Sequence, residues 1–434
     1  MNFEESVNYV QSQTRQSRDN VDLRIIAELL VRVGNPQESF KTIHIAGTNG
    51  KGSVCAYIEC ALREQGYKTG LFTSPYIVVF NERIRMNGQN VENEIFASTA
   101  TKIKTVADEM ISDGYDAPSF FELLTAIAFY IFKENGVEVA VVETGIGGTF
   151  DSTNVVEPIL SVITPIAYDH MNILGDTIDK IADNKAGIIK QNCPVVVSEQ
   201  EHDEAYAVLL NAAKEKNAPF FYLGKSRLTI NSVGFSGADF SFEYGSISAT
   251  IKTKLVGYHQ VKNAACAFLA LCVLSQYTDV KMSSESILNG IAKAEWLCRM
   301  EIMSKSPLII IDGAHNEHAM NSLINSIYDF IPIGKITVVF GVMKRKNYIS
   351  MAKKISKVSN KVYTVTIEDD LSVDGNELAQ ELCDINIEAQ CIGDIKTTLE
   401  TLIEEKNSTI LVCGSLHLAG KTVEVLKMLK KHNI

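Results

Sequence analysis

The chain has 434 residues and a formal net charge of −11; 46% of its residues are hydrophobic and 21% are charged. This length is too great for one ordinary hydrophobic core, so we expect a globular protein of two or three domains. The acidic balance argues against nucleic acid as the main partner, because phosphate backbones bind clustered Lys and Arg.

The cysteines and the apolar segments predict a cytoplasmic protein without a membrane partner. Nine cysteines are scattered from Cys55 to Cys413 with no Cys-x-x-Cys pair, which favours free thiols over a disulfide framework or a zinc site. The N-terminus shows neither the basic nor the apolar region of a signal peptide. The longest strongly apolar run, 123–132, is too short to span a bilayer and predicts a buried helix.

The first 35 residues are predicted to be largely helical, because apolar side chains recur at helical spacing until Gly34-Asn35-Pro36. This apolar face comprises Val21, Ile25, Ile26, Leu29, Leu30 and Val33.

Residues 42–53 have the pattern of a strand, a glycine-rich loop and a helix that together bind a nucleoside triphosphate. The charge of Lys51 can reach the β- and γ-phosphates, and the Ser53 hydroxyl can reach a magnesium ion. The strict Walker pattern has glycine where this chain has Ile45, and Ser or Thr where it has Gly52. A glycine-rich turn without a ligand is therefore the alternative.

A strand at 69–73 is followed by Ser74-Pro75-Tyr76 and by a segment, 81–88, without a clear period. One interpretation of this segment is a solvated connection. The other is a mobile loop that lines a substrate cleft, where an arginine could bind a carboxylate through two hydrogen bonds.

Two helices are predicted next, a polar one at 94–112 and a largely apolar one that begins near Ser119. The aromatic side chains of Phe120 and Phe121, at the start of the second helix, are interpreted as core residues more readily than as a platform for a ligand.

The valine-rich strand 137–143 ends on Glu143, beside a loop that contains several glycines. A carboxylate at the carboxyl end of a parallel strand can support magnesium next to a phosphate loop; a helix cap or a surface acid is the alternative. The strand 159–164 leads to Asp169-His170, and His170 is either a metal ligand or a structural hydrogen-bonding group. Composition alone gives Lys185, on a helix predicted at 178–189, no special role.

The rest of the first domain is predicted as a strand at 195–198, a helix at 204–217 and an antiparallel meander at 227–255. A helix rich in small residues opens at Gly257, and its Asn263 is either a cap or an amide that contacts a base. A fresh α/β pattern begins after a boundary near 294–301. We therefore divide the chain into domains 1–296 and 297–434.

The second domain is predicted to be another doubly wound sheet. Its first strand, 308–312, ends on Asp312 and leads through a loop that contains His315 into a helix. If both sheets offer their carboxyl edges to a shared cleft, these polar loops face the phosphate loop. The further strands are 336–340, 362–365 and 410–412.

Over essentially its whole length the chain resembles the folylpolyglutamate and dihydrofolate synthases of the Mur ligase superfamily. The motifs that carry the resemblance are Gly47-Thr48-Asn49-Gly50-Lys51-Gly52-Ser53, Thr73-Ser74-Pro75, Asn81-Glu82-Arg83-Ile84, Glu143-Thr144-Gly145-Ile146-Gly147-Gly148, Asp151-Ser152-Thr153-Asn154, Asp169-His170, Lys185-Ala186-Gly187-Ile188-Ile189-Lys190 and Asp312-Gly313-Ala314-His315-Asn316. Its implied fold class is α/β: a P-loop-type doubly wound sheet domain with a small antiparallel β subdomain, plus a C-terminal Rossmann-like α/β domain.

The resemblance also implies an ATP-dependent ligase that adds L-glutamate to folates and, in some members, to dihydropteroate. ATP would convert the substrate carboxylate into an acyl phosphate, which the amine of glutamate then attacks. Magnesium would be the cofactor, in two sites, and Lys185 would be carbamylated by CO₂. We expect a monomer.

Site residues follow from the same resemblance. Ser74, Glu143 and His170 would bind magnesium. The nucleotide would be held by Thr48, Asn49, Gly50, Lys51, Gly52, Ser53, Asn263 (through adenine), Arg299 and Asp312. Arg83 and Phe121 would bind the folate-type substrate. The catalytic group would comprise Lys51, Asp151, His170, Lys185 and His315, the last near the phosphates or the glutamate.

The chain departs from the family's usual pattern at three places: Leu297-Cys298 before Arg299, Glu317 in place of a proline, and the run Lys344-Arg345-Lys346-Asn347. This basic run is either a changed contact or a solvated face. Two other functions stay open, a related ligase for a cell-wall precursor and a nucleotide-binding module without catalysis. The segment 81–88 argues against the first of these. The sequence does not separate folate from dihydropteroate as substrate, nor does it give the glutamate chain length.

Overall fold

A computed structural model describes residues 1–13, 22–331, 336–405 and 409–433 of the chain. Val21, which the sequence assigns to an apolar helical face, lies outside the described residues. The chain divides into two compact units. The first comprises 1–229, 241–252 and 262–294, and the second comprises 230–240, 253–261 and 295–434. Among the described residues, no helix is both long and apolar enough to cross a membrane.

The first unit is built on an eight-stranded sheet whose strand order is β4-β3-β2-β5-β1-β6-β7-β8. The six strands from β2 to β8 in that order are parallel, and β3 and β4 are antiparallel additions at one edge. The strands are β1 Lys41–Ala46, β2 Thr69–Phe72, β3 Ile84–Met86, β4 Gln89–Asn90, β5 Val139–Glu143, β6 Leu160–Ile163, β7 Val195–Val197 and β8 Phe220–Tyr222.

Helices accompany this sheet. Two large apolar clusters belong to the core of the unit, and one of them contains the helix predicted from the apolar run. Buried parallel strands carry continuous Val and Ile runs because both faces of the sheet are covered. The helices are α1 Phe3–Ser12, α2 Arg24–Arg32, α3 Lys51–Glu64, α4 Asn93–Ser112, α5 Phe120–Glu134, α6 Met171–Leu174, α7 Ile178–Ala186, α8 Asp203–Glu215, α9 Tyr258–Tyr277 and α10 Ser284–Lys293.

A separate three-stranded sheet has the order β11-β10-β9, as the meander pattern predicts. Its strands are β9 Arg227–Gly234, β10 Gly237–Tyr244 and β11 Ile247–Thr253.

The second unit contains a six-stranded sheet of order β12-β13-β17-β14-β15-β16, with β12 antiparallel and the rest parallel. The strands are β12 Glu301–Lys305, β13 Leu308–Ile311, β14 Ile336–Phe340, β15 Ser359–Thr364, β16 Ala389–Gln390 and β17 Thr409–Cys413. The helices are α11 Glu317–Phe330, α12 Tyr348–Ile355, α13 Gly375–Asp384, α14 Ile395–Glu404 and α15 Leu416–Asn433.

The structure corrects one interpretation of the segment 81–88. A solvated connection is wrong, because Asn81, Glu82 and Arg83 are buried and the residues that follow form β3, which pairs with β2. The mixed composition of this segment did not indicate the short strand β3 near the sheet edge, because that strand is defined by its tertiary pairing.

Candidate functional site

The phosphate loop lies between β1 and α3, and two of its glycines are required by their surroundings. Gly47 has φ +146°, and a Cβ there would lie 1.8 Å from Thr164 Oγ1. Gly50 has φ +86°, and a Cβ there would lie 2.5 Å from the side-chain oxygen of Asn263. Asn263 therefore packs directly against the phosphate loop, which the sequence did not predict.

The start of α3 provides backbone donors for an anion. The first-turn N–H groups of a helix have no acceptor within the helix, and the N-cap residue of α3, Gly50, has no side chain to cap it. These groups belong to Lys51, Gly52 and Ser53. The Thr48 and Asn49 amides, by contrast, donate to the Pro165 carbonyl at 2.9 and 3.4 Å.

Three polar groups meet where β1, β2 and β5 end at the same edge of the sheet. Glu143, the last residue of β5, is buried, and its Oε1 lies 3.9 Å from Lys51 Nζ. The backbone N–H of Ser74 donates to Glu143 Oε2 at 3.2 Å. The place of Glu143 at a strand end predicted its position next to the phosphate loop, and Ser74 was expected there only from the resemblance; the structure brings the three residues together.

Lys185 joins this group from α7. Its side chain is buried, and Nζ donates to the Gly47 carbonyl at 2.8 Å; Lys51 Nζ donates to the same carbonyl at 3.2 Å. Burial lowers the pKa of Lys185 to about 7, and the charge of Lys51 acts in the same direction, while Asp169 and Asp151 oppose both.

Asp151 orders the loop that follows Glu143. Its Oδ2 accepts from the N–H groups of Gly145 and Ile146 at 2.8 and 2.9 Å, and its Oδ1 accepts from the N–H and hydroxyl of Thr153. Burial raises the pKa of Asp151, although these hydrogen bonds oppose the shift. The carboxylate is thus engaged by its own loop.

His170 occupies the start of the short helix α6, with φ 49° and an exposed ring. Its Nε2 lies 3.9 Å from Asp169 Oδ1. His170 lies three residues after Ala167. The Ala167 N–H donates to the Thr48 hydroxyl oxygen, and the Thr48 hydroxyl donates to the Ala167 carbonyl, both at 3.1 Å. Contact between His170 and a metal held by Glu143 remains a prediction.

Arg83 lies in an aromatic enclosure. Its guanidinium carbon is 5.1, 5.6 and 5.3 Å from the ring centres of Tyr76, Phe80 and Phe120. Within the described part of the chain, Arg83 Nε is buried without a hydrogen-bond partner. Burial lowers the pKa of Arg83 to about 10, although the charges of Tyr76 and Glu143 act in the opposite direction and raise it.

Phe121 is half-buried and packs against the core of the first unit. Its ring stacks on Phe72 with a centre-to-centre distance of 5.8 Å. A Cβ at Gly145 would lie 2.7 Å from the Phe121 ring, so Phe121 contacts the loop that Asp151 orders.

In the second unit, Asp312 follows β13 and is buried. Its carboxylate accepts from the Met300 N–H at 2.8 Å and the Ala314 N–H at 2.7 Å. Burial raises the pKa of Asp312, and the Arg299 charge opposes this shift. A Cβ at Gly313 would lie 2.8 Å from Arg299 Nη1, and His315 Nδ1 lies 2.9 Å from the Gly313 carbonyl.

The three departures from the family pattern lie in this unit. Cys298 is buried with φ 55°, and its N–H donates to Glu301 at 2.8 Å. Glu317 pairs with Lys354 at 3.0 Å. Lys344 and Arg345 are exposed, which favours the interpretation of this run as a solvated face.

The residues around Glu143 suit magnesium. A carboxylate and hydroxyl groups are hard oxygen ligands, and magnesium in ATP sites uses few protein ligands together with phosphates. Thr144 Oγ1, next to Glu143, is buried without a hydrogen-bond partner among the described residues. In the same part of the chain, no group of three or more His, Cys, Asp or Glu is arranged to hold a metal. The Glu143 carboxylate and the neighbouring hydroxyl groups are the oxygen ligands that this part of the chain offers to magnesium.

Sequence reasoning missed Asn184. Its side-chain oxygen accepts from the Gly148 N–H at 2.9 Å, and its carbonyl accepts from the Thr149 hydroxyl at 2.9 Å. The signal that could have identified Asn184 is its position in the sequence, directly before Lys185.

The fold and the site together define a Mur-type ligase. The Mur ligase middle domain matches residues 45–271, and the Mur ligase, glutamate ligase domain matches residues 298–416. The chain belongs to the folylpolyglutamate synthase and dihydrofolate synthase family.

Relatives and solved structures match nearly the whole chain. The dihydrofolate synthase/folylpolyglutamate synthase of Bacillus subtilis is 37% identical and matches over 92% of this chain and 94% of its own. The folylpolyglutamate synthase of Lacticaseibacillus casei is 34% identical and matches over 98% of this chain and 99% of its own. The structure of folylpolyglutamate synthase from Thermotoga maritima is 30% identical, with a TM-score of 0.86 over 98% of this chain and 96% of its own. A folylpolyglutamate synthase structure in complex with AMPPCP and folate is 32% identical, with a TM-score of 0.84 over 98% of this chain and 100% of its own. The predicted family and fold class are confirmed.

Proposed function

We propose that this chain joins L-glutamate to the carboxylate of a folate-type substrate, with release of ADP and phosphate. The arrangement of Lys51, Glu143 and Lys185 around the phosphate loop is the observation that carries the proposal. A carboxylate is a poor acylating agent because oxide is a poor leaving group. Transfer of the γ-phosphoryl group of ATP to the carboxylate creates an acyl phosphate, and the glutamate amine then displaces phosphate.

Nucleotide binding is assigned to the phosphate loop, from Thr48 to Ser53. The first-turn amides of α3 and the Lys51 ammonium supply positive charge for the phosphates. The amides of Thr48 and Asn49 serve the loop's own structure through the Pro165 carbonyl. Asn263, Arg299 and Asp312 are proposed as further contacts of ATP, and His315 as a contact of the phosphates or of glutamate.

Glu143, Ser74 and His170 are proposed to hold magnesium, in two sites with ATP. Bound there, magnesium would neutralise charge that develops on the transferred phosphoryl group. The backbone N–H of Ser74 donates to Glu143 Oε2, and this proximity of the two residues supports the proposal. Asp151 is assigned a positioning role, because its hydrogen bonds fix the loop after Glu143.

Lys185 is proposed to be carbamylated. The neutral amine attacks CO₂, forming an N–C bond and releasing one proton, and the product carries a carboxylate-like negative charge. Two ammonium groups that share the Gly47 carbonyl repel each other. The carbamate replaces this repulsion by attraction to Lys51, and the lowered pKa of Lys185, about 7, supplies the neutral amine.

Arg83 and Phe121 are proposed to bind the folate-type substrate. The arginine, whose Nε has no hydrogen-bond partner in the described part of the chain, can meet a substrate carboxylate. The aromatic ring of Phe121 lies beside the loop that follows Glu143, where a flat substrate ring can stack. We expect a monomer that acts in the cytoplasm.

The test is ADP release by the purified protein with ATP, magnesium and L-glutamate, offered tetrahydrofolate, dihydropteroate or a cell-wall precursor as separate acceptors. Turnover with tetrahydrofolate alone indicates polyglutamate synthesis, and turnover with both indicates a bifunctional enzyme. Turnover only with a cell-wall precursor would contradict the folate proposal. ATP binding without glutamate-dependent turnover on any acceptor would identify a non-catalytic nucleotide-binding module.

A further inference from the structure

A buried histidine lies behind the loop that follows Glu143 and has no assigned role. His44 is in the middle of β1, and its side chain is completely buried. In β1 it pairs with Val142 on one side and Ser161 on the other. An apolar residue would fill this central position of a parallel sheet, so a polar ring here needs an explanation.

The hydrogen bonds of His44 lead to Asp151. His44 Nε2 lies 2.8 Å from Thr153 Oγ1, and the Thr153 hydroxyl donates to Asp151 Oδ1 at 2.5 Å. A hydroxyl has only one proton, and Thr153 gives it to the carboxylate. The Thr153 oxygen must therefore accept from His44, which fixes the ring as the tautomer protonated at Nε2.

The rest of the ring is consistent with this tautomer. His44 Nδ1 is buried without a hydrogen-bond partner among the described residues. Burial lowers the pKa of His44 to about 3, and the Lys190 charge acts in the same direction, so the ring is neutral at physiological pH. An unpaired ring nitrogen in the core costs stability, and a leucine of similar size would avoid this cost.

Asp151 transmits the effect to the loop. The carboxylate oxygen that does not contact Thr153 accepts from the N–H groups of Gly145 and Ile146, the second and third residues after Glu143. The same loop contacts Phe121 at Gly145. The path from His44 through Thr153 and Asp151 to Gly145 consists of direct contacts.

We propose that His44 is a positioning residue for the ligase reaction, which acts by donating a hydrogen bond to Thr153 and thereby orienting Asp151 and the loop 144–151. The inference rests on the proposed function for its catalytic consequence, whereas its structural part, the order of the loop, is independent of any substrate. His44 itself does not contact the reacting groups.

The first test is hydrogen–deuterium exchange of the full chain, without substrate. His44→Leu removes the donor, and His44→Gln keeps an N–H donor near the position of Nε2. We expect faster exchange of the Gly145 and Ile146 amides in His44→Leu and near-native exchange in His44→Gln. Ser161→Ala is the matched control, because it removes a buried hydrogen bond to Ile188 from the neighbouring strand. Unchanged exchange in His44→Leu, or equal acceleration in Ser161→Ala, would overturn the proposal.

The second test is a double-mutant cycle in kcat/KM for the folate-type substrate. We expect His44→Leu and Thr153→Val each to lower kcat/KM about tenfold, the magnitude of one lost hydrogen bond to a charged network. The double variant should lose no more than Thr153→Val alone, because both residues act through one path. Multiplicative losses would overturn the proposal.

Two measurements keep the test decisive. If His44→Leu does not fold, Thr153→Ser, which keeps the hydroxyl, is compared with Thr153→Val; equal loss in both would contradict the path. If the chain has no ligase activity, the exchange result still tests the path, so failure of the proposed function is distinguishable from failure of this inference.

Discussion

At the scale of single residues, the Gly47 carbonyl is the point where the nucleotide loop and the helix α7 meet. Lys51 and Lys185 both donate to this oxygen. The sequence predicted the role of Lys51 from its glycine neighbours, because the loop pattern is local. It gave no reason to bury Lys185, since burial of one lysine on a polar helix depends on the strands and loops packed against it.

Replacement of Lys51 by alanine tests the nucleotide assignment. The variant loses the cation that faces the β- and γ-phosphates, so we expect kcat/KM to fall about 10²- to 10³-fold, the range for loss of one electrostatic contact in a transition state. Glutamate-dependent ADP release measures this change. Lys214→Ala, on the exposed face of α8, is the control and should keep full activity. Full activity in Lys51→Ala would remove the assignment.

The pKa of Lys185 predicts a pH-dependent carbamate. Only the neutral amine adds CO₂, and its fraction rises as pH increases through the folded pKa of about 7. Protein equilibrated with ¹³C-bicarbonate should therefore show a carbamate resonance that strengthens from pH 6 to pH 8. Lys185→Ala should lack this resonance. A resonance that is absent in the native protein, or that persists in the variant, would contradict the assignment.

Chemical rescue tests whether the negative charge of this carbamate is required. Lys185→Ala leaves a space beside the phosphate loop that a short carboxylic acid can enter. We expect the activity of this variant to be at least tenfold below native, the size of effect that follows from loss of one charge–charge contact. Acetate or propionate should partly restore the activity, and chloride at equal ionic strength should not. Native activity in the unrescued variant would show that the carbamate is not required.

At the scale of elements, the apolar runs and glycine positions were enough to predict most strands of both units and most helices of the first unit. Of the described helices in the second unit, only α11 was predicted. The short strands β3, β4, β8, β12 and β16 were not identified, because their residues have no clear alternation and their pairing partners lie far away in sequence. The helix predicted at 178–189 ends at Ala186, before Gly187. The burial of Arg83 under three aromatic rings has the same tertiary origin.

Gly47 provides a prediction at this scale. Gly47→Ala would place a Cβ 1.8 Å from Thr164 Oγ1, so the loop between β1 and α3 must move. We expect loss of measurable ATP binding by calorimetry. Gly66→Ala is the matched control, because Gly66 also has positive φ, +99°, but an added Cβ meets nothing within 4 Å. It should lower the free energy of unfolding by about 1–2 kcal/mol and leave ATP affinity unchanged. Equal ATP affinity in both variants would contradict the assigned role of the loop.

At the scale of the whole molecule, the ordered set of motifs predicted the family, and the matches over nearly the full length confirm it. The domain limits 1–296 and 297–434 stay a prediction. In the structure, residues 230–240 and 253–261 belong to the second compact unit although they precede the predicted boundary. No local sequence pattern reveals this assignment, because it depends on contacts between segments that are far apart in the chain.

The central claim is that the chain activates a carboxylate by phosphorylation before the amide forms. The most direct measurement is isotope transfer from a folate substrate whose reacting carboxylate is labelled with ¹⁸O, followed by mass spectrometry of the released phosphate. Attack of glutamate on an acyl phosphate breaks the carbon–oxygen bond, so one labelled oxygen should leave with each phosphate, in equal number to ADP. Unlabelled phosphate released in step with amide formation would contradict the account.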